Sequence, residues 1–152
     1  MKAKNGRWLD TALRAQQART LDHHYRVHET QASHAQAAQQ ESDARQSLHS
    51  LASSWRKGRD EAKLTQDLDG LYRLFHAQLH VEADGAAQTR VAHQQALDAA
   101  LLHLRQSHAL QQGLDKTIQR RNRRVAKDAQ AAERNTASET WMLAQAGKKE
   151  SE

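Results

Sequence analysis

Apolar residues recur along this chain at alternating intervals of three and four, the period of a helix that packs against another helix. The helical pattern begins near Arg7. Ala18, Leu21, Tyr25, His28, Ala32 and Ala35 then follow with heptad spacing and predict a first seam. The stretch 36–47 is polar and alanine-rich, and Leu48, Leu51 and Trp55 resume the seam beyond it. The phase slips at Gly58, where a kink is expected. Leu64, Leu68, Leu71, Tyr72, Phe75 and Leu79 form the richest apolar stripe, within about a 100° arc at 100° per residue.

A turn is expected at 83–86, because Asp84-Gly85 offers the positive φ of a tight connection. The predicted architecture is therefore all-α. It is one long antiparallel two-helix coiled-coil hairpin, kinked near Gly58, with helices over about 7–82 and about 87–146. The second seam reads Val91, Gln94, Leu97, Leu101, Leu104, Leu114, Ile118, Arg121, Val125, Ala129 and Ala132, with Gly147 as its stop. Both termini are expected to fray. Folding at 84–85 sets Leu79 against Val91, Tyr72 against Leu97, Leu68 against Leu101, Trp55 against Leu114 and Leu51 against Ile118. Such a hairpin spans ~90 Å at 1.5 Å per residue. An alternative register brings Leu21 to Ala129, Tyr25 to Val125 and Trp8 to Trp141, and requires 60–85 to form a separate helix. Short helix connections favour the first.

Composition narrows the class. The 152 residues contain no proline, no cysteine and one isoleucine, and 27 of the 57 apolar residues are alanine. A β-sandwich or barrel lacks its β-branched and aromatic residues here, and an α/β enzyme its apolar strand runs. Disulfides and cysteine-ligated metals are excluded. No apolar run approaches a membrane span, and the first ten residues lack the apolar stretch of a signal peptide. Seventeen leucines fill a thin seam more readily than a thick core.

The net charge of +5 is uneven: residues 1–59 carry +5, residues 60–85 carry −4 and residues 86–147 carry +4. On a helical wheel Lys116, Arg120, Arg123 and Lys127 fall on one side, with Arg124 beside them and Arg121 nearer the seam. Ile118, Val125 and Ala129 fall on the other side. This basic stripe is either a solvated face or a docking surface for an anionic partner. Acidic protein suits it better than nucleic acid, because no aromatic residue interleaves with it for base stacking. The apolar stripe Trp55, Leu68, Leu71, Tyr72, Phe75 and Leu79, with Leu74 on its flank, is too wide for a two-helix seam, so part of it should stay exposed.

Ten histidines include the i,i+4 pairs His24/His28 and His76/His80. Two ligands fall short of the three or four of a zinc site, and neither pair lies in an HExxH motif. There is no Gly-rich phosphate loop and no nucleophile motif. No catalytic residue, metal or cofactor is assigned, and the reading is of a non-enzyme.

The length, the Pro- and Cys-free composition and the arms rich in Ala, Gln, Arg and Leu resemble the stalk proteins of bacterial type III export. These are the FliJ and YscO-type families. The tail is similar in type, with Leu114-Asp-Lys-Thr-Ile-Gln-Arg-Arg-Asn-Arg-Arg124, Ala131-Ala-Glu-Arg134 and Glu139-Thr-Trp141. The histidine content resembles the plant-pathogen Hrp-type members. The resemblance implies a coiled-coil stalk in the pore of a hexameric export ATPase, linking it to the export gate and escorting secretion chaperones. It implies a cytoplasmic location, peripheral to the inner-membrane export apparatus, without membrane insertion. By region, it implies that the stripe Lys116, Arg120, Arg123, Arg124 and Lys127 faces the ATPase, and that Trp55, Tyr72, Phe75 and Leu79 meet the gate. The alternatives are a basic nucleic-acid-associated coiled coil and a structural dimerisation protein.

Overall fold

The computed structural model describes residues 2–149, with side chains described over 7–143. Two helices account for nearly all of them: α1, Lys2–Asp60, and α2, Gln66–Lys149. Among the described residues there is no strand. The all-α hairpin expected from the heptads is the observed fold. Its reversal, however, lies at 61–65 and not at 83–86, which α2 crosses without a break.

The reversal is a Schellman ending. Lys63 N donates to Gly58 O (3.0 Å) and Ala62 N to Arg59 O (3.1 Å), with Ala62 in the left-handed region at φ 50°. Leu64 folds back over Gly58, where a Cβ would stand 2.8 Å from its Cδ1, the movable end of a flexible side chain. Thr65 then starts α2: its side chain accepts from Leu68 N (3.4 Å) and its carbonyl from Asp69 N (3.0 Å). Lys57 and Arg59 in the last turn of α1, and Asp67 and Asp69 in the first turn of α2, complement the helix dipoles. Gly85 sits mid-helix, where a glycine costs ~1 kcal/mol and does not by itself break the helix.

The chain divides into two compact units, one of which is Arg19–Ser107. Within it, facing positions sum to about 127. The Thr20 and Ser107 hydroxyls hydrogen bond at 2.8 Å, the His23 and His103 rings stack with centroids 6.0 Å apart, and Trp55 stacks on Tyr72 at 6.4 Å. Arg90 Nε donates to the Glu41 carboxylate. Neither register considered from the sequence is therefore adopted. The inward positions of α1 are Thr20, His23, Val27, Thr30, His34, Ala37, Glu41, Ala44, Leu48, Leu51 and Trp55. Their 3,4 spacing is as regular as that of the predicted seam, from which they differ over 18–35. There Leu21 is 56 % exposed and Tyr25 67 % exposed, and Ala18, His28, Ala32 and Ala35 are exposed with them. The α1 helix carries two heptad stripes, and α2 covers the more polar one.

The other unit comprises Met1–Ala18 and His108–Glu152. In it Leu9, Leu13 and Gln16 of α1, and Gln111, Leu114, Ile118 and Arg121 of α2, are half-buried or buried. From Asn122 to Leu143 every residue is exposed, Val125, Ala129 and Ala132 among them. Here α2 has 84 residues and α1 has 59. Trp8 and Trp141 are both exposed. In the α2 seam Gln94, Leu97, Leu101, Leu104, Leu114, Ile118 and Arg121 are covered as expected, and Val91 is exposed. The helix begins at Lys2 rather than near Arg7 and continues past Gly147. Met1 and residues 150–152, expected to fray, lie outside the described residues.

The accessible surface is 12427 Å², against about 7,800 Å² for a compact monomer of this mass. Small and polar residues occupy much of the seam, so each specific polar contact carries weight. Glu41, 8 % exposed, is held by Arg90 and by Arg45 Nη2 at 2.6 Å. The hydrogen bond from Arg90 lowers its carboxyl below the usual carboxylate value, burial opposes this, and Arg45 adds to the lowering. A depressed folded value stabilises the fold above the unfolded pKa, and the contribution is lost as pH falls through the folded one.

Two outcomes are expected. Ala62→Gly relieves the left-handed alanine and raises stability by about 0.5–1 kcal/mol in urea denaturation. Glu41→Gln lowers the thermal midpoint at neutral pH. It also loses less stability than the parent when pH drops from about 5 to about 3, read by circular dichroism.

Candidate functional site

The residues assigned to partners form two separate surfaces, one on α2 and one shared by α1 and α2. The first is the basic stripe. Lys116, Arg120, Arg123, Arg124 and Lys127 are all exposed, and none forms an ion pair among the described residues. Arg121 turns towards the seam as expected: it is half-buried, and its Nε and Nη2 donate to Asn122 Oδ1 at 3.3 and 3.1 Å. Its Nη1 is buried without an acceptor. Lys116/Arg120, Arg120/Arg124 and Arg123/Lys127 are like-charged i,i+4 neighbours, each costing a few tenths of a kcal/mol. Elsewhere the chain does the opposite, with the i,i+4 ion pairs Asp22–Arg26, Glu41–Arg45 and Asp69–Arg73. A face tuned only for solubility and helix stability would alternate its signs.

The second surface adjoins the reversal. Of the four apolar residues assigned to a partner, three belong mainly to the seam. Trp55, Tyr72 and Leu79 are half-buried, and Trp55 Nε1 donates to Asp69 Oδ1 at 2.8 Å. The Trp55 ring also meets His76, whose ring packs edge-on to His80 at 4.7 Å. Phe75 is exposed (52 %), and its exposed companions are Leu68, Leu71 and Leu74. The width of the α2 stripe predicted that some of it would escape the seam. Choosing which residues escape required the register. Leu51, Leu68, Leu71, Tyr72 and Phe75 line a shallow apolar groove between the helices.

No three His, Asp or Glu side chains converge as a metal site among the described residues. Comparison with family models, curated proteins and solved structures finds no match to this chain. Its class is that of an all-α two-helix hairpin, and no described helix is long and apolar enough to cross a membrane.

Trp55 depends on Asp69 for its indole partner. Asp69→Ala leaves that N–H unsatisfied and removes the Arg73 pair. The expected loss is about 1–3 kcal/mol of unfolding free energy, with a shift in tryptophan emission. An unchanged urea midpoint would show that the bond contributes nothing.

Proposed function

We propose that this chain is a non-enzymatic coiled-coil adaptor, the stalk of a bacterial type III export ATPase, acting by fit and charge rather than by chemistry. The observation that carries the reading is the run of exposed, like-charged cations at 116–127, on the side of α2 away from the half-buried Leu114, Ile118 and Arg121. Repulsion along an exposed basic face is relieved when an anionic surface meets it. Acidic loops of a hexameric ATPase pore are such a surface, and the resemblance to FliJ and YscO-type stalks supplies that partner. The same resemblance suggests contacts with the export gate and with secretion chaperones at the cytoplasmic side of the inner membrane. On this chain the gate contact falls to Phe75 with Leu68, Leu71 and Leu74, since Trp55, Tyr72 and Leu79 are occupied in the seam. Nucleic acid fits less well, because no aromatic residue stands between Lys116 and Lys127.

The test reverses Arg120, Arg123 and Arg124 to Glu in the full chain. Co-sedimentation with the ATPase should fall at least tenfold, and stimulation of ATP turnover should be lost. Binding and turnover equal to the parent would sink the role given to the stripe. A gel shift with duplex DNA at low salt checks the competing partner, and strong salt-sensitive binding would favour it.

A further inference from the structure

The side of α2 turned away from α1 is uncovered within the unit Arg19–Ser107. From Val81 to Gln106, the positions at alternating intervals of four and three on that side are all exposed, and none is charged. Their spacing is that of a coiled-coil core, here on the solvent face of a helix. Val81 is 72 % exposed and Leu102 53 % exposed. The stretch is about 38 Å long at 1.5 Å per residue. A helix pair of that length buries on the order of 1,000 Å², the lower bound for a specific interface.

The face is complementary to itself. When two copies run antiparallel about a two-fold axis between residues 93 and 94, facing positions sum to about 187. Gly85 then meets Leu102 of the second copy, Gln88 meets Ala99 and Ala92 meets Gln95. A large side chain faces a small one in each of these layers, as interdigitation requires. Charge selects the same register. Between 81 and 106 the charged side chains of α2 are Glu82, Asp84, Arg90, Asp98 and Arg105. Arg90 is turned to Glu41 in the seam. Asp84 and Arg105 lie on one flank of the stripe, are exposed, and form no ion pair among the described residues. In the antiparallel pair each Asp84 stands beside Arg105 of the other copy, a contact that the two-fold makes twice. Glu82 stands beside His103 on the other flank. Asp98, which accepts from the Gln94 amide at 2.9 Å, stands beside Val91. A shift of one heptad brings Asp84 to Asp98 in one direction and Asp98 to Asp98 in the other, and either shift separates Asp84 from Arg105. The charges of α1 over the facing stretch 21–46 are the pairs Asp22–Arg26 and Glu41–Arg45, with Glu29 and Asp43. They belong to the helix on the opposite side of α2 and leave this register unchanged.

We propose that this face binds a second copy of the chain, as an antiparallel α2–α2 pair centred between Ala92 and Gln95. The inference goes beyond the stalk reading and does not rest on it, and the stripe at 116–127 lies outside the paired stretch. Sedimentation velocity of the full chain from about 1 to about 300 µM should show a reversible monomer–dimer equilibrium, as an interface of this size supports. Arg105→Glu should raise the dimer dissociation constant at least tenfold, and so should Asp84→Arg. Both substitutions in one chain should restore it to within about threefold of the parent, because each reverses the charge that the other meets across the axis. Ala92→Glu places a good helix former at an exposed central position and should abolish the dimer. Helicity by circular dichroism should match the parent in every variant. Should a charge variant lose it, Ala92→Glu decides alone. A monomer at every concentration overturns the proposal. So does a dimer indifferent to Arg105→Glu or to Ala92→Glu, or a doubly substituted chain that stays helical and stays weakened. No ATPase enters the assay, so this inference and the stalk reading can fail separately.

Discussion

The placement of one reversal governs the rest of this molecule. Ala62 adopts a left-handed conformation, Gly58 admits Leu64 at close range, and Thr65 restarts the helix. From that point the register follows, with facing positions summing to about 127 as in Thr20–Ser107. A one-heptad shift would turn the Glu41 carboxylate away from Arg90 and separate the Trp55 ring from Tyr72. The same placement sets the unequal helix lengths. Had the chain reversed at 84–85, Val125, Ala129 and Ala132 would have faced the 37–44 stretch of α1. Reversal at 61–65 takes them away from that stretch, and they are exposed.

The seam that results is unusual in where it spends its apolar residues. Over 16–41 the inward face of α1 holds Gln16, Thr20, His23, Thr30, His34 and Glu41, with Val27 and Ala37 among them. Leu21 and Tyr25 point out. A seam of this kind gains little from burial, which scales with apolar area, and gains specificity from matched polar contacts. A part-buried ion pair such as Glu41–Arg90 is weak as a source of stability and effective as a marker of register. The large exposed surface follows from the same choice, because leucines and aromatics withheld from the seam remain available to partners.

What the sequence revealed and what it concealed divide along a physical line. Helicity, the all-α class, the covered run Leu97–Ile118 and the outward direction of Lys116, Arg120, Arg123, Arg124 and Lys127 depend on local geometry alone, and all were readable. The register depends on one turn, and that turn disguised itself. Asp84-Gly85 has the composition of a tight connection, yet its helix absorbs the glycine. The true reversal uses an alanine where glycine is customary. Signals for it were nevertheless present, in Lys57 and Arg59 before the break, Thr65 at the cap and Asp67 and Asp69 after it. The inward face of α1 was hidden for another reason. Two stripes of equal periodicity run along 18–35, and hydrophobicity favoured the one that faces solvent. Phe75 is exposed, as part of the wide stripe was expected to be, whereas Trp55, Tyr72 and Leu79 were not separable from it until their seam contacts were known.

The distribution of charge bears on the stability of the free chain. An isolated hairpin optimised for its own stability would neutralise each helix face through opposite i,i+4 neighbours, as Asp22–Arg26 does. Opposite neighbours of this kind pair at Asp22–Arg26, Glu41–Arg45 and Asp69–Arg73, whereas Lys116, Arg120, Arg123, Arg124 and Lys127 are exposed and form no ion pair among the described residues. Leu68, Leu71, Leu74 and Phe75 are exposed at a separate place on α2. Like charges in one run and exposed apolar side chains in another each cost stability in the free protein. Each cost falls when a partner brings the opposite charge or a complementary apolar face. A cationic face and an apolar one call for partner surfaces of different chemistry, which is what the proposed adaptor requires.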